Sequence, residues 1–203
     1  MMDMDTTLMF LLRWIHLIAG ITWIGLLYFF NFINIPLTGT LDADSKKKVV
    51  PELMPRALFF FRWGAMFTFL AGAGIIIIKY FIVGSGMSGV SGLMSTPSGL
   101  WITFGALFGT VMWFNVWFII WPVQQKIIPA VKAGQAPPAG LPAKAAMASR
   151  INTYLSVPLL FFMGAGSEGH YPMFNYYTLV LVIVVGFVIV KLTYGFSGKL
   201  KGM

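Results

Sequence analysis

Residues 13–34 read RWIHLIAGITWIGLLYFFNFIN, a nearly unbroken apolar run with an arginine at its head and a histidine one turn inside. The hydrocarbon core of a bilayer asks a helix for about 20 such residues. An ionisable side chain inside such a run is expensive, so His16 marks a candidate functional position. Gly20 and Trp23 follow it at i+4 and i+7, which places all three on one helical face. A histidine above a glycine notch, with a tryptophan below, suits a flat cofactor held against the helix. The plainer alternative is a histidine hydrogen-bonded to a neighbouring helix that the glycine allows to approach closely.

The rest of the chain extends this reading. Of 203 residues 58% are hydrophobic and 10% charged, a balance that a soluble domain of this length does not show and a polytopic membrane protein does. The expectation is one membrane domain over 1–203. Cysteine is absent, which removes disulfides, thiolate metal sites and covalent attachment of a c-type haem. The opening MMDMDTT is acidic where a signal peptide is basic, and the apolar run behind it is too long for one. The first helix is therefore expected to stay in the mature protein.

Five apolar segments predict five membrane helices, at about 8–35, 57–83, 100–121, 150–170 and 174–194. The fourth contains Pro158, which should bend it. Twelve of the fourteen basic residues fall on one side, from Lys46, Lys47, Lys48, Arg56 and Arg62 through Lys126, Lys132, Lys144 and Arg150 to the tail. Only Arg13 and Lys79 fall on the other. The positive-inside bias then predicts an all-α bundle with its amino terminus out and its carboxyl terminus in. The net charge of +8 is thus a matter of topology, with Lys46–Lys48 held against anionic lipid, and no nucleic-acid partner is expected. The outer loop 84–99 is rich in Gly and Ser and reads as flexible or pinned by a partner. The inner loop 129–149, rich in Ala and Pro, reads as a linker.

Chemistry has few places to reside. The two histidines, His16 and His170, both fall on the outer side of this topology. Two imidazoles from two helices are what a bis-histidine b-type haem requires, and Arg13 sits where it can meet a propionate or a lipid phosphate. A copper site is the alternative, drawing on His16, His170, Glu168 and the thioethers of Met163 or Met173. Trp113, Trp117 and Trp121 recur at i+4 on the third segment, as an interfacial belt or as a wall for a quinone or pigment ring. Asn115 and Asn152 are amides in apolar segments and need interhelical partners. Gly105 and Gly109 form a G-x-x-x-G that favours close helix contact. Paired carboxylates, a nucleophile with its base and a phosphate-binding glycine loop are not found, so neither hydrolysis nor acid-relayed proton pumping is expected.

The runs RWIHLIAGITWIGLLYFFNF, PRALFFFRW, NVWFIIWPVQQKII and SRINTYLSVPLLFFMGAGSEGHYP together resemble the membrane domain of the cytochrome-c-type urate oxidase family. The pattern His-x-x-x-Gly-x-x-Trp-x-Gly in the first helix is more loosely similar to the bacterial type of protoporphyrinogen oxidase and to copper-resistance membrane proteins. The resemblance implies a helix bundle concerned with electron transfer, with His16 and His170 at matching family positions. Urate-oxidising members look like a membrane domain fused to a c-type cytochrome, and this chain ends at Met203 without a cysteine, so urate oxidation is not expected of it and no catalysis by the chain alone.

Three functions are open on these residues. The first is a b-haem electron-transfer subunit of a larger redox complex in the bacterial inner membrane, with His16 and His170 as ligands, Arg13, Gly20 and Trp23 lining the cofactor, and other membrane subunits, a c-type cytochrome or a quinone as partners. The second is a cofactor-free structural subunit of such a complex. The third is a copper-handling membrane protein.

Overall fold

The computed structural model describes residues 4–82, 89–166 and 173–200. Every regular element among the described residues is helical. The helices are α1 (Met4–Tyr28), α2 (Ile35–Thr40), α3 (Ala43–Ile76), α4 (Gly89–Ser95), α5 (Pro97–Phe114), α6 (Trp121–Lys132), α7 (Leu141–Ala165) and α8 (Tyr176–Ser197). Wider π turns at Phe29–Asn34 and Asn115–Ile120 join α1 to α2 and α5 to α6, and another, Ile77–Ile82, prolongs α3. Four resulting rods are long and apolar enough to cross a membrane: Thr6–Thr40, Ala43–Ile82, Pro97–Lys132 and Tyr176–Ser197. These faces are consistent with a lipid bilayer. A helix suits that solvent because it satisfies its backbone polar groups internally.

Four of the five expected segments lie on these rods and the fourth in sequence lies on α7, and several of the helices are longer than hydropathy alone indicated. The inner stretch 129–149 is not a linker for most of its length. α6 carries Pro129 within it and runs to Lys132, and α7 starts at Leu141 with Pro142 in its first turn, where a missing N–H costs nothing. Ala143, Ala145, Ala146 and Ala148 then favour helix, and Ala145 and Ala148 are small enough to be buried. Only 133–140 is left to connect. The outer stretch 84–99 is likewise ordered in part: α4 occupies Gly89–Ser95, and Thr96 caps α5 by accepting from the Gly99 N–H at 3.0 Å. Residues 84–88 of that stretch lie outside the described set.

Three close approaches set the packing. Gly64 of α3 meets α1, and a Cβ there would lie 3.2 Å from the Ala19 carbonyl oxygen. Gly105 faces Phe162 and Met163 of α7, and Gly109 faces Leu159, so both glycines of the G-x-x-x-G serve the α5–α7 contact. Gly186 of α8 receives the ring of Pro158, 2.7 Å from where a Cβ would stand. The main core gathers Trp23, Leu27, Phe30, Leu58, Phe61, Ala65, Met112 and Val116, and a second cluster gathers Trp101, Phe162, Ala165 and Leu179.

α7 is long but is not among the four rods apolar enough to span, and one face of it is turned into the bundle. It packs on α5, α6, α8 and α1 and turns Asn152, Thr153 and Ser156 fully inward. Its sequence falls short of a lipid-exposed span because its polar face meets protein. α8, by contrast, turns Val180, Leu181, Val184, Val188 and Ile189 outward.

Candidate functional site

His16, Gly20 and Trp23 do share a face of α1, and that face is turned to α3. The Thr68 carbonyl lies 2.8 Å from His16 Nδ1. A carbonyl oxygen only accepts, so the proton sits on Nδ1 and Nε2 carries the lone pair of the neutral ring. Thr68 is held in turn by its hydroxyl, which donates to the Gly64 carbonyl at 2.7 Å. Gly72 meets the Cε1–Nδ1 edge of the imidazole, where a Cβ would lie 2.9 Å from Cε1 and 3.0 Å from Nδ1. The close edge contact leaves no room for a side chain at position 72. Gly20 faces the Thr68 side chain. Trp23 is buried, and its indole N–H has no partner among the described residues.

Metal-ligating histidines are commonly held in this way, with Nδ1–H on a backbone carbonyl and Nε2 presented. His16 therefore fits one axial position of a haem. His170 and Glu168 lie outside the described residues. Arg13 is on α1 one turn from His16, with its side chain exposed. Among the described residues no three His, Asp or Glu side chains gather as a metal cluster. Of the thioethers considered for copper, Met163 is packed against Gly105 and Met173 is largely exposed.

The tryptophan stripe has a different occupant from the ring considered above. Trp113 stacks on Phe69 at 4.3 Å, Trp117 meets Trp63 edge-on at 5.5 Å, and the Trp121 ring lies 3.9 Å from the Arg62 guanidinium. Trp117 also donates its indole N–H to the Arg62 carbonyl at 3.1 Å. The stripe is a seam against α3, with cation–π contact at its lower end.

A second polar group, which composition hid, runs along α7. Asn115 donates to the Asn152 side-chain oxygen at 2.8 Å, and Asn152 donates to the Met112 carbonyl at 2.9 Å. Tyr28 and Ser156 share a hydrogen bond of 2.9 Å. Asn31, in the first π turn, donates to Ser149 and accepts from Tyr194, both at 2.8 Å. Ser197 donates to the Phe32 carbonyl. The available signal was the spacing of Ser149, Asn152, Thr153 and Ser156 at i, i+3, i+4 and i+7 on one face of an otherwise apolar segment.

On the far side of α1 an open apolar groove lies between α1 and α3, lined by Trp14, Ile18, Thr22, Phe60, Trp63 and Phe67. His16 is not part of it.

No curated protein and no solved structure matches the chain. The family described as urate oxidase N-terminal matches residues 87–197, a stretch that holds α4 to α8 with Asn115 and Asn152. The α1–α3 part, with Arg13, His16, Gly20 and Trp23, stands outside that match. Because the match takes in more than half of the 203 residues, the chain belongs to the urate oxidase N-terminal family.

Proposed function

We propose that this chain is a b-haem-binding electron-transfer subunit of a larger redox assembly in the bacterial inner membrane, with His16 and His170 as the axial ligands. The observation that carries this reading is the seat of His16. Its Nδ1–H is committed to the Thr68 carbonyl and its Cε1–Nδ1 edge abuts Gly72, an arrangement that spends one nitrogen on orientation and reserves the other for a ligand. Arg13 is assigned to a propionate, and Gly20 and Trp23 to the wall beside the ring. When bound, a b-type haem supplies one-electron oxidation and reduction. The chain's own part is to orient the imidazole and keep it among apolar groups.

The proposed topology has five spans with the amino terminus outside. In this reading α7 is the additional span: its 25 residues make a rod of about 38 Å. The twelve basic residues then share the cytoplasmic side.

Reduced-minus-oxidised spectra of the purified full-length chain test the proposal. A b-type signal is expected in the native chain and is expected to vanish in His16→Ala and in His170→Ala. A chain that folds and assembles with no iron, and tolerates both substitutions, sinks it. That outcome favours a second reading, a cofactor-free scaffold subunit. Copper in place of iron on elemental analysis selects the copper-handling reading.

A further inference from the structure

The helices do not all stop at one level. α8, with its apolar outer face, ends at Ser197, which is tied to Phe32. Two residues before Phe32, Phe30 packs edge-on to Phe61 at 5.3 Å, and the next residue, Arg62, lies over Trp121. Phe32, Arg62, Trp121 and Ser197 therefore mark one level, and an arginine on tryptophan at that level fits a membrane interface. Beyond it α3 and α6 continue side by side. The Lys47 ammonium is 3.4 Å from where a Cβ on Gly134 would stand, so the pair is still in contact at its tip. From Arg62 back to Lys47, and from Trp121 on to Gly134, the helices rise about 20 Å at 1.5 Å per residue. The headgroup region adds only about 5–8 Å per leaflet, and the Debye length at physiological salt is about 8 Å.

The basic side chains on this protrusion fall into two tiers. Lys126 and Lys144 are exposed and stand within about 9 Å of the marked level, by the same rise per residue. Lys46, Lys47, Lys48 and Lys132 stand at the top, with Lys47, Lys48 and Lys132 exposed. Two exposed acids share the upper tier, Asp44 and Asp42, which accepts from the Ser45 N–H at 2.8 Å and from its hydroxyl at 2.7 Å, so they offset two of its four lysines; lower down Glu52 is paired with Arg56 at 2.8 Å.

We propose that the upper tier, Lys46–Lys48 with Lys132, is a docking surface for a water-soluble protein with an acidic face. The lower tier alone reaches lipid phosphate. Lysines about 20 Å above the hydrocarbon edge are beyond useful attraction to headgroups, and they are carried on packed helices instead of a slack loop, so their charge is presented at a fixed place. The inference rests on the bundle crossing a membrane and is independent of the haem assignment. Under the topology proposed above, this end faces the cytoplasm.

The test uses the full-length chain in nanodiscs of phosphatidylcholine with and without phosphatidylglycerol. The absence of native cysteine allows a single nitroxide at Lys47→Cys. That label is expected to collide with a water-soluble nickel chelate and not with oxygen dissolved in lipid. A fluorescent polyglutamate of about twenty residues stands in for the acidic face. Its binding is expected to weaken at least fivefold in K46Q/K47Q/K48Q and less than twofold in K126Q/K144Q, while retention on phosphatidylglycerol follows the second variant. A label at headgroup depth, polyglutamate binding indifferent to the upper triad, or lipid retention lost with the upper triad each overturns the proposal.

Discussion

His16 stood out in the sequence because it is ionisable inside an apolar run, and its seat did not, because Thr68 and Gly72 lie more than fifty residues away on another helix. The seat makes separable predictions. The acceptor at Thr68 is the backbone carbonyl, so Thr68→Ala is expected to leave the haem signal intact. At Gly72 a Cβ would lie 2.9 Å from the ring, and a branched side chain there must displace the imidazole. Gly72→Val is expected to lower haem content at least fivefold in protein that still elutes as a monodisperse species, read from the iron-to-protein ratio. Full haem content in that variant, or its loss in Thr68→Ala, contradicts the assigned geometry. At the other end of α3, the Ser45 N–H and hydroxyl hold the Asp42 carboxyl below its ordinary range. A depressed carboxyl contributes its stability above the unfolded value and loses it as pH falls through the folded one. The tip of α3 should therefore fray only in acid stronger than an ordinary aspartate would need.

Among the elements, α7 was hardest to delimit from composition. Its apolar stretch is short, and its start is alanine and proline that resemble a linker until α6 and α8 are available to pack on it. What the residues did carry was the need of Asn115 and Asn152 for partners, and they partner each other. Asn152 is fully buried and serves two groups, the Asn115 amide and the Met112 carbonyl. Asn152→Leu strands both, at a cost of about 1–2 kcal/mol, the range for interhelical hydrogen bonds in membranes. Denaturation in a graded series of dodecyl sulfate is expected to show this loss, and the double variant with Asn115→Leu is expected to recover part of it. Additive losses in the pair argue that the two amides do not act together. The tryptophan stripe carries a different lesson: i+4 spacing identified a face correctly but not its occupant, since packing against α3 and binding of a flat ring ask for the same residues.

At the scale of the molecule, charge placement carries the topology and geometry alone does not orient the bundle. Single cysteines in intact cells supply that test. Cysteines at Gln135 and Gly140 are expected to react only after the inner membrane is made permeable, whereas one at Thr6 should react with an impermeant maleimide from outside. The reverse pattern inverts the bundle and overturns the outer-side placement proposed for the haem. The length of the rods was less legible than their helical character, because hydropathy sees only the lipid-facing part of a helix that continues into water. That continuity links two distant places. Lys47 and Thr68 belong to the same helix, α3, about 32 Å apart along its axis. A small rocking of that helix at its Lys47 end is delivered as a shift of the carbonyl that aims the imidazole, so, if the proposed ligation holds, an encounter in the aqueous phase has a mechanical route to the environment of a cofactor it never touches.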